Sequence, residues 1–283
     1  MDQAAICDAI EAATGTRPNG APRPIGGGCI NEAYQLGDFF VKTHAPAGAA
    51  MFEAEVLGLD ELHRSNSIRV PQPVCTGCTL SHAFLVLEFL PLGGGSAASQ
   101  EELGRGLSRL HRCTRTTHGW DHDNFIGATP QPNTPADDWI EFLRERRLGY
   151  MLRQAEERGF TFRGAVSLLD SLDGFFDEGD PPPALLHGDL WGGNASAMTD
   201  TTPVIYDPAV YYGDREADLA MTHLFGGFSP AFHAAYEEEW PLPAGHEARR
   251  DLYNLYHILN HAVLFGTGYA RQAQAMIDHL LEL

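Results

Sequence analysis

Residues 185 to 194 read LLHGDLWGGN. An apolar pair runs into His187-Gly188-Asp189, and Asn194 follows Asp189 by five positions. Asp207 stands thirteen residues beyond Asn194, in VIYDP (204–208), at the end of a short apolar run; GDREADL (213–219) comes next. Phosphoryl transfer asks for this order. One carboxylate lies near an acceptor hydroxyl, and an amide oxygen with a second carboxylate holds Mg²⁺ against the phosphates. A lone D-x-x-x-x-N is weak. H-G-D-x-x-x-x-N followed by a strand, an aspartate and GDREADL is specific, because order and gaps recur together.

A second stretch fits the first. FFVKTH (39–44) holds Lys42, the only lysine in a chain whose Lys and Arg together number 19. A strand lysine can touch the α and β phosphates of ATP while a helix glutamate orients it. Glu55 in FEAEVLGL (52–59) follows at a suitable distance, with Glu53 as its competitor. Arginine is a poor replacement there, since its planar fork is larger and differently directed. A lineage can exchange surface lysines for arginine, but not this one. Upstream, the glycines Gly26, Gly27 and Gly28 of IGGGCIN precede the Lys42 strand by about a hairpin, and their N–H groups can fold over phosphates. LVLEFLPLGG then reads as a hinge, with backbone groups of Glu88 and Leu90 facing adenine.

Composition limits the alternatives. The 283 residues suit one two-lobed domain or two domains, and 43% hydrophobic content with 10% aromatics is enough to fold. A formal charge of −19 leaves no basic patch for nucleic acid or anionic membrane. RERR (144–147) gathers arginines and reads as a solvated helix face. MDQAAICDAIEAATG is too acidic for a signal peptide and no run approaches 18 apolar residues, so a soluble, cytoplasmic protein is expected. Five cysteines with no disulfide spacing fit a reducing compartment. Cys75 and Cys78 form a CxxC without the second pair that zinc needs, and are read as a tight turn joining two strands.

Along the chain, residues 2–13 form a short helix capped by Asp2. Residues 20–36 form a hairpin about the glycines, 39–44 a strand, 49–65 a helix, and SHAFLVLEFL a buried strand. PLGGGSAAS (91–99) is a Gly/Ser linker and the best boundary. Helices dominate after it: one over 101–113, one begun by proline over 135–159, one over about 163–177, one over 214–225, and one over 246–269. The expected class is α+β with a protein-kinase-like two-lobed fold. An antiparallel N-terminal nucleotide-binding lobe would span 1–91 and a larger helical catalytic lobe 92–283.

The strings GGGCINEAY, DNFIGATPQPN followed by Trp139, HGDLWGGN, YDPAVYYGDREADLAM and LNHAVLFGTGY resemble the fructosamine kinase (ketosamine-3-kinase) family over roughly residues 20–280. The resemblance implies ATP- and Mg²⁺-dependent phosphorylation of a sugar–amine adduct at the 3-hydroxyl, with Asp189 as base and Asn194 and Asp207 as metal ligands. It implies a free or protein-linked ketosamine as partner and a monomer or weak dimer. Trp191 is a candidate for stacking on a sugar face, and Asn260 and His261 of LNH are candidate substrate contacts. Cys29, after the glycines, is a candidate redox-sensitive thiol. His187 reads as a satisfied core histidine, and Glu216 and Asp218 as braces for the catalytic loop. His257 and His261 lie four apart on one helical face, but no HExxH glutamate accompanies them and zinc is not expected. The competing readings are a kinase of another small hydroxyl substrate (aminoglycoside, choline or homoserine type) and a nucleotide-binding pseudokinase. The second predicts loss of Lys42, Asp189, Asn194 or Asp207, and all four are present.

Overall fold

A computed structural model describes residues 2–26, 31–176 and 179–283. Gly27, Gly28 and Cys29 fall outside the described residues. Helix α1 (Gln3–Thr14) is capped by Asp2, whose carboxylate accepts from Ala5 N, and it ends at Gly15 in the left-handed region. Strands β1 (Arg23–Ile25), β2 (Glu32–Leu36) and β3 (Phe39–His44) precede helix α2 (Ala49–Arg64), and β4 (Pro73–Cys78) and β5 (Ala83–Glu88) follow it. These strands form one antiparallel sheet in the order β1-β2-β3-β5-β4.

Alternation assigns the two faces of this sheet. Val41, Phe84 and Val86 pack with Ile6 and Ile10 of α1. Leu85 and Leu87 pack on the other face with Phe52, Leu59 and Leu62 of α2. Lys42 follows Val41 and so points to the α2 face, where an acid on α2 can meet it. Cys75 and Cys78 both lie inside β4, which corrects the expected turn. The turn falls at 79–82, where Thr79 N donates to His82 O.

After β5 come β6 (Leu92–Gly93) and α3 (Ala97–His111). PLGGGSAAS is therefore more structured than a linker: β6 pairs with Ala197 and Met198, and Ser96 closes a capping box with Ser99. The hairpin β7 (Asn124–Ile126) and β8 (Thr129–Gln131) comes next, then α4 (Trp139–Phe142), a π-helical segment (Leu143–Leu148), α5 (Gly149–Glu157) and α6 (Ala165–Asp170). The helix expected from Pro135 starts only at Trp139, because Asp138 caps it by accepting from Glu141 N. That over 163–177 shrinks to α6 and a short 3-10 turn at Leu172–Phe175. The RERR reading also changes. Arg147 is 1% exposed, its guanidinium lies 3.9 Å from the ring centroid of Tyr211, and it donates to Pro132 O and Asn133 Oδ1. The wider π turn carries this arginine inward.

Short strands β9 (Ala184–Leu186), β10 (Ala195–Met198), β11 (Pro203–Ile205) and β12 (Tyr211–Gly213) frame the loop that carries Asp189. Helices α7 (Glu216–Leu224), α8 (Pro230–Glu239), α9 (His246–Phe265) and α10 (Thr267–Leu280) complete the lobe. Gly266, at φ +90°, ends α9 and separates α10 from what reads as one helix. The lobes are tied at Glu61 of α2, which accepts from Tyr212 Oη at 2.7 Å and from Arg115 at 3.0 Å. No helix among the described residues is long and apolar enough to cross a membrane. The architecture is the α+β, two-lobed one expected.

Candidate active site

A cleft of about 460 Å³ is lined by Gly26, Lys42, Glu55, Glu88, Leu90, Asp189, Trp191, Asn194 and Asp207. Residues far apart in sequence thus meet on one surface. Lys42 Nζ lies 2.6 Å from Glu55 Oε1 and 2.5 Å from Asp207 Oδ1. Glu53 is exposed, so the choice between the two glutamates falls on Glu55. Burial opposes the Lys42 charge, yet Asp207 and Glu55 outweigh it and hold the ammonium above its usual value. Burial raises the Glu55 carboxyl, and Lys42 only partly offsets it.

The loop after β9 is built from within. His187 is fully buried; its Nε2 donates to Tyr206 O at 3.0 Å, and its Nδ1 receives Asp189 N at 3.3 Å. Burial lowers its basicity, so it stays neutral and both nitrogens are occupied. It is the core histidine expected. Asp218 is 2% exposed and accepts from His187 N at 2.7 Å, Gly188 N at 2.8 Å and His111 Nε2 at 3.2 Å. Burial works against its charge, but His111 and the loop amides hold its carboxyl below the usual value. Glu216 pairs with Arg249 through two bonds of 2.8 and 3.0 Å. Asp218 braces the loop, as its sequence position suggests, whereas Glu216 ties α7 to Arg249 of α9 instead.

Gly188 has φ +80°, and a Cβ there would stand 2.0 Å from Ala209 O. Only glycine lets the loop and the segment after Asp207 come this close. The Gly-Gly of DLWGGN has a steric cause too: a Cβ on Gly192 would meet Gly226 O at 2.6 Å, and one on Gly193 the Trp191 ring at 2.2 Å.

Asn194 Nδ2 donates to Asp189 O at 2.9 Å and to Asp189 Oδ2 at 3.1 Å. The amide oxygen is then the atom it can offer a cation. Asp207 adopts φ +58° and keeps a half-exposed carboxylate at the cleft. An amide oxygen beside a carboxylate is a hard oxygen donor set, which fits Mg²⁺. Burial, together with the nearby Asp207 charge, pushes Asp189 up to about 7, against the bond from Asn194.

Glu88 donates its N–H to Gln72 O, and its carboxylate accepts from Gln72 N and Arg69. Its N–H is committed, and the carbonyl is the backbone group it can offer a base. Trp191 is 37% exposed and leads a row of aromatics: Phe225 at 6.2 Å, then His261 at 4.9 Å from Phe225, then Tyr269 at 4.9 Å from His261. Asn260 is placed differently from its neighbour. It is 3% exposed, accepts from Thr129 Oγ1 at 2.6 Å and donates to Ile126 O, so it anchors the β7–β8 hairpin and does not line the cleft. Sequence reasoning missed Asn124 and Phe125 as cleft residues. The signal was present in the string DNFIGATPQPN, but nothing in its spacing assigns it a face.

The fructosamine kinase family model matches residues 2–283. A Synechocystis protein named as a probable ketoamine kinase is 46% identical over 266 residues, covering 92% of this chain and 90% of its own length. The chloroplastic protein-ribulosamine 3-kinase of Arabidopsis thaliana is 44% identical, covering 92% of this chain and 82% of its own. A crystal structure provisionally assigned as a fructosamine-3-kinase of Haemophilus somnus superposes with a TM-score of 0.91 at 29% identity, over 98% of this chain and 96% of that one. With its cleft, its lysine–glutamate pair and its H-G-D-x-x-x-x-N loop, the chain belongs to the fructosamine kinase family.

Proposed function

We propose that the protein is an ATP-dependent kinase that phosphorylates ketosamines, the fructosamine or ribulosamine adducts of amines, at the 3-hydroxyl. The observation that carries the reading is Asp189, half-buried beside Asn194 and facing the cleft that holds the Lys42–Glu55 pair. Residues 1–91 are the nucleotide-binding lobe, and 92–283 the catalytic and substrate-binding lobe.

Asp189 orients the acceptor hydroxyl and takes its proton as the oxygen attacks the γ-phosphorus and the bond to the β–γ bridging oxygen breaks, so that ADP leaves. Lys42, held by Glu55, offers its ammonium to the α and β phosphates, whose oxygens compete with Asp207 for it. Asn194 and Asp207 would hold Mg²⁺, which would supply positive charge against the phosphates. Gly26, on the cleft wall, is placed to cover the phosphates, and the Glu88 carbonyl with Leu90 receives the base. Trp191, followed by Phe225 and His261, offers an aromatic wall to the sugar and its amine. His261 Nδ1 is taken up by His257 O at 2.8 Å, leaving Nε2 for a substrate hydroxyl.

The product undoes glycation by its own chemistry. Enolisation between carbons 1 and 2 of a ketosamine puts a double bond beside carbon 3, which can then expel its substituent. Phosphate leaves far more readily than hydroxide, and hydrolysis of the resulting imine frees the amine.

The test is ATP/Mg²⁺-dependent phosphorylation of ribulose-lysine and fructose-lysine, with choline and kanamycin as controls. Turnover of a ketosamine alone supports the reading, and the ratio of the two sugars names the preferred adduct. Turnover of choline or kanamycin without either ketosamine overturns it in favour of another small-hydroxyl kinase. Bound ATP with no turnover of any acceptor points to a nucleotide-binding scaffold.

The pH profile follows from Asp189. A base must be deprotonated, and its pKa is raised to about 7, so activity is present above that value and lost below it. On the acid side kcat/KM for the ketosamine should fall about tenfold per pH unit. A kcat/KM that stays flat to pH 5 would remove Asp189 as the titrating base.

A further inference from the structure

The string DNFIGATPQPN is not absorbed by the chemistry above. It folds into the β7–β8 hairpin, in which Asn124 and Gln131 face each other across the register. Both are buried, at 4% and 0% exposure. Each aims an amide at the chain just beyond Asp207. Asn124 Nδ2 donates to Val210 O at 2.7 Å, and Gln131 Nε2 donates to Ala209 O at 3.0 Å. Two consecutive carbonyls, beginning two residues after the aspartate, are therefore held by one hairpin.

The amides cannot flip without loss. Gln131 Oε1 accepts from Tyr256 Oη at 2.6 Å, and Asn124 Oδ1 accepts from Gln131 Nε2 and Asn133 Nδ2, each at 2.8 Å. Asn133 is held in turn by Arg147 at 2.7 Å. Every partner fixes which end of each amide is the donor, and in a buried network a missing partner leaves a carbonyl unsatisfied. The held backbone also needs holding. Asp207 is a non-glycine residue at φ +58°, a conformation that surrounding structure must enforce. On its other side, Ala209 N donates to His187 O at 2.9 Å. The segment is pinned from the catalytic loop and from the hairpin together.

We propose that Asn124 and Gln131 are positioning residues for the metal site: by gripping the Ala209 and Val210 carbonyls they keep Asp207 presented to the cleft. The inference rests on the reading of Asp207 as a Mg²⁺ ligand. The hairpin thereby substitutes a fixed strut for a segment that could otherwise relax from its strained backbone.

The test compares Gln131→Met and Asn124→Ala with Thr129→Val, which loosens the Asn260 anchor at the other end of the hairpin without touching Ala209 or Val210. Mg²⁺ is titrated at saturating ATP and ketosamine, and hydrogen exchange is followed in the peptide spanning 207–212. Gln131→Met and Asn124→Ala should raise the half-saturating Mg²⁺ about fivefold to tenfold and speed exchange of the Ala209 amide, with KM for the ketosamine within about twofold. Thr129→Val should do neither, at whatever cost to its melting temperature. If Gln131→Met does not fold, Asn124→Ala, which removes the Val210 bond and the Gln131 and Asn133 bonds to its Oδ1 but keeps the Gln131 bond to Ala209 O, carries the comparison. Amide variants that match Thr129→Val in both readouts would overturn the proposal. Asp207→Asn separates the two levels. If it shifts the Mg²⁺ dependence while the amide variants do not, the positioning role fails and the ligand reading stands. If Asp207→Asn leaves the dependence unchanged, the ligand reading itself fails.

Discussion

Replacing Asp189 with asparagine is expected to lower kcat by about 10²–10⁴-fold while leaving ATP binding within a few-fold of wild type. Asparagine keeps the shape of the side chain and cannot take the acceptor proton. The nucleotide groups Lys42, Glu55 and Asp207 do not depend on it. The same substitution should make the empty protein more stable at pH 8. A carboxylate whose folded pKa is raised costs stability once it ionises, so the cost is absent near pH 4 and grows as pH rises towards about 7. Asparagine removes that cost. A gain on the order of 1 kcal/mol corresponds to roughly 2–4 °C in Tm for a chain of this size. The difference should vanish as pH falls towards 4. An inactive variant that melts below wild type at pH 8 would mean that Asp189 serves the fold and not the chemistry.

Lys42→Arg is expected to cost about 10²–10³ in kcat/KM for ATP, the scale of removing one preorganised electrostatic donor. The change keeps the charge, and the loss is geometric. Lys42 is 5% exposed and wedged between Glu55 and Asp207, with room for a compact ammonium and not for a planar fork. The composition supplies a second readout. Lys42 is the only lysine in the chain, so an acyl-phosphate nucleotide that labels lysine should mark this residue alone, and ATP should protect it. Activity of Lys42→Arg within a few-fold of wild type would show that charge suffices. In a chain that uses arginine almost everywhere else, the retained lysine would then lose its explanation.

Much of this was legible before any coordinates. The spacing from Asp189 to Asn194 to Asp207 is a local property: a turn and a short hairpin bring such groups together wherever the chain goes next. Lys42 is legible because it is the only lysine in the chain and stands on a short apolar strand ahead of a helix that carries Glu55. Asp2 caps its helix by a rule that acts over one turn. Ser96 and Gly266 follow such rules too, but they stand in stretches that read as a linker and as continuous helix, and α8 and α10 are not among the helices read from the sequence.

Other features needed the packed molecule. RERR reads as a solvated face, yet Arg147 is buried against Tyr211, because the π turn that redirects it is imposed by its neighbours. Asn260 and His261 are adjacent in one motif but part on α9. One anchors the β7–β8 hairpin, and the other joins the aromatic row beside Trp191.

The sequence by itself determined the class of fold and the chemistry, since both rest on residue types at short, fixed spacings. The tertiary structure decided the partners: Glu55 over Glu53 for Lys42, Asp207 across 165 residues from that same lysine, and Asn124 and Gln131 for the carbonyls beyond Asp207. The reason is physical. Periodicity says which side chains share a face of one element, but which face meets which other element is set by burying the apolar surfaces of all of them at once.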